Sequence, residues 1–121
     1  MKNKLILVVD DQAGIRVLLA EALGAVGYTV QTAASGRQAL ECMRRQRPDL
    51  VLLDVNMPGM SGADTLRELR RSYREVPVML ITADEQDLAT DWTDELSVTG
   101  WLCKPFELDD LYQQVAAALD S

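Results

Sequence analysis

The sequence predicts a doubly wound α/β domain, in which a parallel sheet of five strands carries helices on both faces. Short apolar runs alternate five times with helical patterns along the 121 residues, and consecutive parallel strands need such a crossover between them. The run Leu50–Leu53 contains no polar residue, which is typical of a strand buried on both faces. The length fits one domain, so we assign residues 1–121 to a single unit and expect no output domain in this chain.

Each element follows from a local pattern. The predicted strands are Lys4–Val9, Tyr28–Thr32, Leu50–Leu53, Val76–Ile81 and Thr99–Leu102. Apolar residues that recur every three or four positions predict the helices between them. The stripe of the first helix consists of Ile15, Leu18, Leu19, Ala22 and Val26. Gly27 follows this stripe and predicts the end of the helix.

The later helices are assigned in the same way. Ser35 and Gly36 open the second helix, and Pro48 stops it. Its inward stripe is Ala39, Leu40 and Met43. The remaining stripes are Leu66, Leu69 and Tyr73 in the third helix, Leu88, Trp92 and Leu96 in the fourth, and Leu108, Leu111, Tyr112, Val115 and Leu119 in the last.

Composition excludes several classes of function. The chain contains no histidine, which excludes a Ser-His-Asp triad and a histidine phosphocarrier. Cys42 and Cys103 form no CxxC motif, so we expect two buried or half-buried thiols. No apolar run approaches the roughly 20 residues that cross a bilayer. The apolar stretch near the N-terminus is too short for a signal peptide, so we expect a cytoplasmic protein without membrane contact.

The net charge of −7 is unevenly distributed along the chain. Residues 1–74 hold 11 basic and 8 acidic residues, whereas residues 75–121 hold Lys104 as their one base against 11 acids. An acidic half discourages direct binding of nucleic acid. We therefore expect protein partners rather than nucleic acid.

Polar residues follow four of the predicted strands. Asp10 and Asp11 follow the first strand, Asp54 ends the third, Thr82 ends the fourth and Lys104 follows the fifth. Because the carboxyl ends of the strands of an open sheet lie side by side, we expect these side chains to converge. Packed carboxylates repel one another unless a divalent cation lies between them, and oxygen ligands suit Mg²⁺.

This set of groups predicts a chemistry. A carboxylate beside Mg²⁺ can attack a phosphoryl group and form an aspartyl phosphate. Lys104 would then pair with the phosphoryl oxygens, and Thr82 would donate a hydrogen bond to them. Taken singly, paired acids often cap a helix and a Lys-Pro pair often forms a turn. Their joint position at four strand ends favours the reactive site.

On these residues the chain resembles a response-regulator receiver domain of two-component signalling, over essentially its whole length. The motifs that carry the resemblance are Val8-Val9-Asp10-Asp11-Gln12, the segment Asp49–Gly62, Leu80-Ile81-Thr82-Ala83 and Lys104-Pro105-Phe106. The resemblance implies a flavodoxin-like (βα)5 fold with strand order 2-1-3-4-5. It also implies that Asp54 accepts a phosphoryl group from a histidine kinase or a histidine phosphotransfer protein, and that the domain catalyses only its own phosphorylation and dephosphorylation.

The resemblance further implies the roles of the site residues. Asp11, Asp54 and the main-chain carbonyl of Asn56 would hold Mg²⁺, or Mn²⁺ as a substitute, with Asp10 acting through water. Lys104 would contact the phosphate, next to a cis peptide bond to Pro105. Thr82 and Trp101 would form the switch that changes the binding of a downstream protein. Trp101 stands where Tyr, Phe or His is more frequent, and its alternative role is to cover the edge of the sheet.

The segment Asp11–Glu21 is similar to the first helix of stand-alone phosphorelay regulators of the sporulation type. In those proteins this helix meets the partner that bears the phosphohistidine. The partner contact implied for this chain comprises Gln12, Gly14, Ile15, Leu18, Pro105 and Phe106. The helical stripe favours a core position for Leu18 and Leu19 instead, so Leu18 has two interpretations.

Two features depart from the family pattern. Residues Asp91–Thr99 match it poorly, and Ser97 stands where a glycine is usual. The acidic C-terminal half lacks the bases for the cross-paired dimer of DNA-binding regulators, so we expect a monomer when unphosphorylated. Asn56 and Asp84, two residues beyond Asp54 and Thr82, can orient an attacking water molecule, which predicts self-dephosphorylation in minutes rather than hours.

Three alternatives stay open. In the first alternative, the chain would be a receiver fragment of a longer regulator or hybrid kinase. In the second, it would be a pseudo-receiver that docks partners without phosphorylation. All five active-site positions hold competent residues, which disfavours the pseudo-receiver. The third alternative, a phosphatase of the haloacid-dehalogenase type, needs Asp-x-Asp after the first strand, but Ala13 stands two residues beyond Asp11.

Overall fold

The structure is a computed structural model that describes residues 4–84, 86 and 95–120. Its strands are β1 (Leu5–Val9), β2 (Thr29–Ala33), β3 (Leu50–Asp54), β4 (Val78–Thr82) and β5 (Gly100–Cys103). The helices within the described ranges are α1 (Ala13–Ala25), α2 (Gly36–Arg45), α3 (Gly62–Ser72) and α4 (Leu108–Asp120). Among these residues, none of the helices combines the length and the apolar character that crossing a membrane requires.

The five strands form one sheet in the order β2-β1-β3-β4-β5, and all four pairings are parallel. The predicted fold class and strand order are therefore confirmed. From β1 the chain crosses outward to β2 and then returns to β3 on the other side of β1. The strand order thus reverses between β1 and β3, where open α/β sheets form their binding crevice.

The core consists of two layers, one on each face of the sheet. Successive residues of a strand point to opposite faces: Leu7 and Leu53 pack with α2 and α3, whereas Ile6 and Leu52 pack with α1 and α4. The largest fully buried side chains belong to both layers and are Ile6, Leu7, Leu19, Leu23, Met43, Leu50, Leu52, Leu53, Leu66, Leu69, Met79 and Leu80. The central strands β1, β3 and β4 are buried along their whole length, including the polar residues Asp54 and Thr82 that end β3 and β4. Their apolar runs predict this burial.

The helical stripes are confirmed for most positions and wrong for three. Leu18, Val26 and Leu108 are 44%, 46% and 41% exposed. Val26 lies outside the stripe because it is the C-cap of α1, and its backbone is no longer helical. Leu108 is the first residue of α4, and Leu18 lines a surface groove. Gly27 has φ of 105°, a left-handed conformation that suits glycine and confirms the predicted end of the helix.

Element boundaries shift by one or two residues from those predicted. β2 ends at Ala33, β4 begins at Val78 and β5 ends at Cys103. α2 ends at Arg45, before it reaches Pro48, and the backbone of Gln46 is already extended. Cys42 and Cys103 are both half-buried thiols, as predicted. In the predicted fourth helix, Leu88 and Trp92 lie outside the described residues, and Leu96 is half-buried against the α2–α3 layer.

Arg70 joins three segments of the chain. Its guanidinium donates hydrogen bonds to five main-chain carbonyls: those of Tyr73, Arg74 and Val76 before β4, and those of Leu96 and Ser97 before β5. Burial lowers the pKa of Arg70 from its ordinary value. Ser97 has φ of 57°, a left-handed conformation that favours glycine. The backbone at this position therefore has the conformation that suits the glycine usual in the family, although this chain carries a serine.

Candidate functional site

The predicted residues converge at the carboxyl edge of the sheet. Asp10 directly follows β1 and Asp54 ends β3, and these two strands are neighbours. One carboxylate oxygen each from Asp10, Asp11 and Asp54 lie within 4.8 Å of one another. Asp10 and Asp54 are buried, whereas Asp11 is exposed. The sequence therefore identified a true cluster of three carboxylates.

Local sequence explains how Asp54 is presented. Its strand continues into Val55, whose N–H donates to the carbonyl of Ile81, so the chain stays paired with β4 just beyond Asp54. The loop then turns at Gly59, where φ is 75°. Gly62 opens α3 against this strand end, because a Cβ on Gly62 would lie 2.6 Å from Cα of Val55. The absent side chain at Gly62 thus lets α3 start directly behind the site.

Lys104 supplies the positive charge of the site. Its Nζ lies 3.1 Å from Oδ2 of Asp10 and 3.7 Å from Oδ2 of Asp54, and it donates a hydrogen bond of 3.2 Å to Oε1 of Gln12. The Lys104–Pro105 peptide bond is cis, as the family resemblance implied. The main-chain N–H of Lys104 donates to the carbonyl of Thr82, which joins the ends of β4 and β5.

The environment makes Asp54 a weaker acid than usual. Burial, as the largest effect, and the Asp10 carboxylate raise the pKa of Asp54 from 3.8 to about 6. The N–H of Asn56, which donates to Oδ1 of Asp54 at 3.2 Å, and the charge of Lys104 act in the opposite direction. Three carboxylates against one ammonium leave an excess of negative charge that a cation would offset.

The donor set fits a hard divalent cation. Asp10 Oδ2 is buried and, within the described ranges, takes part in no hydrogen bond, although Lys104 lies near it as an ion pair. Such an oxygen has lone pairs available to a cation or to its bound water. The three acids therefore present the oxygen-rich surroundings that Mg²⁺ prefers.

Thr82 is buried at the end of β4, and its hydroxyl already has partners. Oγ1 donates to the carbonyl of Asp84 at 2.8 Å and accepts from the N–H of Asp84 at 3.1 Å. Asn56 and Asp84 are both exposed, Asn56 lines the cavity at the site, and the main chain of Asp84 contacts Thr82. Trp101 is 49% exposed on β5, so its indole lies at the surface in this structure.

Two cavities adjoin at Lys104. The first, of about 220 Å³, is lined by Asp11, Gln12, Asp54, Asn56, Ala83 and Lys104. The second is an apolar groove of about 320 Å³, lined by Ile15, Leu18, Lys104, Pro105 and Phe106. Gly14 is exposed on the same helix. Of the residues in the implied partner contact, Gln12 lines the first cavity, and Ile15, Leu18, Pro105 and Phe106 line the groove.

Two contacts of the site were not found from the sequence. Arg16 donates from its guanidinium to the main-chain carbonyl of Asp10 at 2.7 Å, and Gln12 accepts from Lys104. Arg16 lies one helical turn after Gln12, and that spacing is the one signal that could have placed it at the start of α1. The contact between Gln12 and Lys104 spans 92 positions, so local pattern carries no signal for it.

Comparison with known proteins agrees with this geometry. Sporulation initiation phosphotransferase F of Bacillus subtilis is 40% identical over 116 residues, which cover 95% of this chain and 93% of that protein. The probable transcriptional regulatory protein TcrX of Mycobacterium tuberculosis is 38% identical over 94% of this chain, but the chain spans only about half (49%) of its length. Several other relatives are also matched over about half of their length.

Solved structures show the same similarity. The chemotaxis response regulator CheY4 of Vibrio cholerae superposes with a TM-score of 0.91 at 32% identity, covering 98% of this chain and 100% of that one. The response regulator TrrA of Thermotoga maritima, solved in complex with Mg(2+)-BeF, has a TM-score of 0.88 at 35% identity and covers 96% and 99% of the two chains. The family model for the response regulator receiver domain matches residues 6–116. This chain therefore belongs to the response regulator receiver domain family.

Proposed function

We propose that this receiver domain is a phosphoacceptor, and that Asp54 takes the phosphoryl group from a histidine kinase or a histidine phosphotransfer protein. The observation that carries the proposal is the position of Asp54: a buried carboxylate at the open carboxyl end of β3, beside two further acids and one ammonium. The open cavity of about 220 Å³ in front of it admits a phosphoryl group. In the transfer, an oxygen of Asp54 bonds to phosphorus, and the P–N bond to the donor imidazole breaks.

The proposed Mg²⁺ site consists of the acids Asp10, Asp11 and Asp54 and the main-chain carbonyl of Asn56. Mn²⁺ takes similar oxygen ligands and would substitute. The cation supplies positive charge against the acids and the phosphoryl oxygens. Asp10 would act through a water molecule, since its buried Oδ2 accepts no hydrogen bond from the described residues, although it lies in an ion pair with Lys104.

Lys104 and Thr82 serve the phosphoryl group after transfer. Lys104 needs only a short displacement, because its ammonium already lies 3.7 Å from Asp54. Thr82 has to give up its contacts with Asp84 before its hydroxyl can donate elsewhere. Release of that hydroxyl is the local event that would start the switch, and the half-exposed Trp101 turns inward with it to change the surface that a downstream protein binds.

Asn56 and Asp84 set the lifetime of the phosphoryl group. Asn56 lines the cavity in front of Asp54, and Asp84 is exposed next to Thr82. From these positions each would orient a water molecule for attack on phosphorus. We expect self-dephosphorylation in minutes. A phosphoryl half-life of many hours in the presence of Mg²⁺ contradicts this role.

The apolar groove next to Lys104 is the docking surface proposed for the phosphodonor. Ile15, Leu18, Pro105 and Phe106 line it, and the exposed Gln12 and Gly14 flank it at the start of α1. A partner seated there brings its phosphohistidine to the adjoining carboxylate site. The exposure of Leu18 supports the partner-contact interpretation over the core interpretation.

The relatives support two settings for this activity. The match over 93% of sporulation initiation phosphotransferase F supports a single-domain carrier that passes the phosphoryl group on. The half-length match to TcrX supports a receiver within a longer regulator. In either setting we propose a cytoplasmic domain that is monomeric before phosphorylation, binds proteins rather than nucleic acid or membranes, and catalyses only its own phosphorylation and dephosphorylation.

Incubation with acetyl phosphate and Mg²⁺, followed by intact-mass measurement, tests the proposal. The wild type is expected to gain one phosphoryl group, and Asp54→Asn to gain none. Asp64→Asn is the matched control, because Asp64 is an exposed acid outside the cluster, and it should be modified like the wild type. No mass gain in the wild type favours the pseudo-receiver, and equal gain in Asp54→Asn excludes Asp54 as the acceptor.

A further inference from the structure

Gln12 occupies the N-cap position of α1 but does not cap the helix. Its main chain is extended, and its side chain accepts no hydrogen bond from the first turn. The N-caps of α2 and α3 are Ser35 and Ser61, whose hydroxyls accept from the N–H of Gln38 and of Asp64 at 3.1 Å. Ser, Thr, Asp and Asn are the preferred residues at this position. Gln12 therefore forgoes a stabilising contact that the other two helices make.

The side chain of Gln12 instead contacts Lys104. Its Oε1 accepts a hydrogen bond of 3.2 Å from the Lys104 ammonium. Its main-chain N–H donates to Oδ1 of Asp10 at 2.9 Å, which ties Gln12 to an acid that also pairs with Lys104. The N-cap residue thus connects the start of α1 to Lys104, the first residue after β5.

Three acceptors surround the ammonium in the part of the chain that the structure describes. They are Asp10 Oδ2 at 3.1 Å, Gln12 Oε1 at 3.2 Å and Asp54 Oδ2 at 3.7 Å. The Gln12 oxygen accepts a hydrogen bond from the ammonium, whereas the two carboxylate oxygens are its ion-pair partners. Two of the acceptors are carboxylates with another proposed task, at the cation and at phosphorus. The neutral amide of Gln12 has no proposed task at the cation or at phosphorus, so its hydrogen bond to Lys104 does not compete with either.

Building on the proposed phosphoacceptor role of Asp54, we propose that Gln12 is a positioning residue for Lys104. It holds the ammonium at the opening of the cavity in front of Asp54, where the oxygens of an incoming phosphoryl group arrive. A lysine side chain is long and flexible, so an ammonium that is already oriented loses less freedom when the phosphodonor binds. This role lies within the domain and differs from the partner contact that the family resemblance implies for Gln12.

Two substitutions separate positioning from helix stability. Gln12→Met keeps the side-chain length and removes the oxygen acceptor, whereas Gln12→Ser removes the contact and restores a capping hydroxyl. Both should raise the acetyl phosphate concentration that gives half-maximal phosphorylation rate, by about three- to tenfold. Gln12→Ser should also raise the thermal unfolding midpoint, so that stability and phosphorylation change in opposite directions. Gln113→Met, on the exposed face of α4, is the control and should behave like the wild type.

A double-mutant cycle tests whether Gln12 acts through Lys104. In a Lys104→Met background, Gln12→Met should cause no further loss, since coupled residues are not additive. The affinity for Mg²⁺, measured by fluorescence titration, should stay within about twofold of wild type in Gln12→Met, because the amide is not among the proposed ligands. An additive loss in the cycle, an unchanged dependence on acetyl phosphate in Gln12→Met, or a parallel loss of Mg²⁺ affinity overturns the proposal.

A measurement on the metal-free protein keeps this inference separate from the proposed function. By NMR, the ammonium protons of Lys104 should exchange with water faster in Gln12→Met than in the wild type, and equal exchange overturns the positioning role. If the wild type takes up no phosphoryl group, the proposed function fails. The exchange comparison then still decides whether Gln12 orients Lys104.

Discussion

Replacing Asp54 by Asn should stabilise the metal-free protein at neutral pH. In the folded chain the pKa of Asp54 is about 6, mainly because of burial and then because of Asp10, against 3.8 for an ordinary aspartate. Between these two values the folded state binds the proton more tightly than the unfolded state. Stability therefore falls as the pH rises through this window, and ionised Asp54 is a cost above pH 6.

The magnitude follows from the size of the rise in pKa. At ~1.4 kcal/mol for each pH unit, a rise from 3.8 to about 6 costs about 3 kcal/mol at pH 7.5. The linkage relation leaves about 1 kcal/mol of that cost near pH 4.5. Asn is uncharged and of similar shape, so the substitution removes the buried charge without leaving a cavity. We therefore expect Asp54→Asn to gain about 3 kcal/mol at pH 7.5 and about 1 kcal/mol at pH 4.5.

Urea unfolding in EDTA, followed by far-UV circular dichroism at the two pH values, measures this gain. Glu41→Gln is the control, since Glu41 is an exposed acid on α2 and its loss should change stability by less than about 0.5 kcal/mol. Saturating Mg²⁺ should reduce the advantage of Asp54→Asn, because the cation stabilises the wild type by binding to it. A variant no more stable than wild type at pH 7.5, or a gain independent of pH, refutes the electrostatic reasoning.

Further predictions concern the metal, Arg70 and Ser97. Mg²⁺ affinity, measured by calorimetry, should fall as the pH drops below about 6, because protons then compete for Asp54; constant affinity between pH 5 and pH 7 contradicts this. Arg70→Met should lower the free energy of unfolding by about 3 kcal/mol, because five carbonyls lose their donor. Arg71→Met removes an exposed ion pair with Glu68 and should cost at most about 0.5 kcal/mol in the same urea titration; equal losses in both variants count against the Arg70 contacts. Ser97→Gly should gain about 1 kcal/mol by relieving the left-handed conformation, whereas Ser97→Ala should gain nothing; a similar gain in both points to the lost hydroxyl instead.

The sequence predicted the central parts of the fold and site because their causes are local. The apolar run of β3 is uninterrupted, and the parallel arrangement then sends Asp10 and Asp54 to the same edge without further information. The exposure of Leu18 could not be read from the helical stripe, since it depends on whether another element covers that face of α1. The pattern of Leu18 and Leu19 is the same in a core stripe and in a stripe that borders a groove.

Contacts between distant segments were the part that sequence could not supply. Arg70 lies on the third helix among several arginines, and nothing nearby distinguishes it from the exposed Arg71. Its partners Leu96 and Ser97 are 26 and 27 positions away. The family resemblance implies a partner contact for Gln12. Its hydrogen bond to Lys104, by contrast, forms only when the whole sheet between the two residues has assembled.

The five carbonyls bound by Arg70 have a consequence for how the protein opens locally. One guanidinium bonds both to the segment before β4 and to the turn before β5, so neither segment can leave its place without breaking a hydrogen bond to Arg70. The two segments should therefore behave as one cooperative unit in native-state hydrogen exchange, with a shared opening free energy. The segment before β5, the strand that leads to Lys104, is thus hydrogen-bonded to Arg70 of α3, on the side of the sheet away from α1.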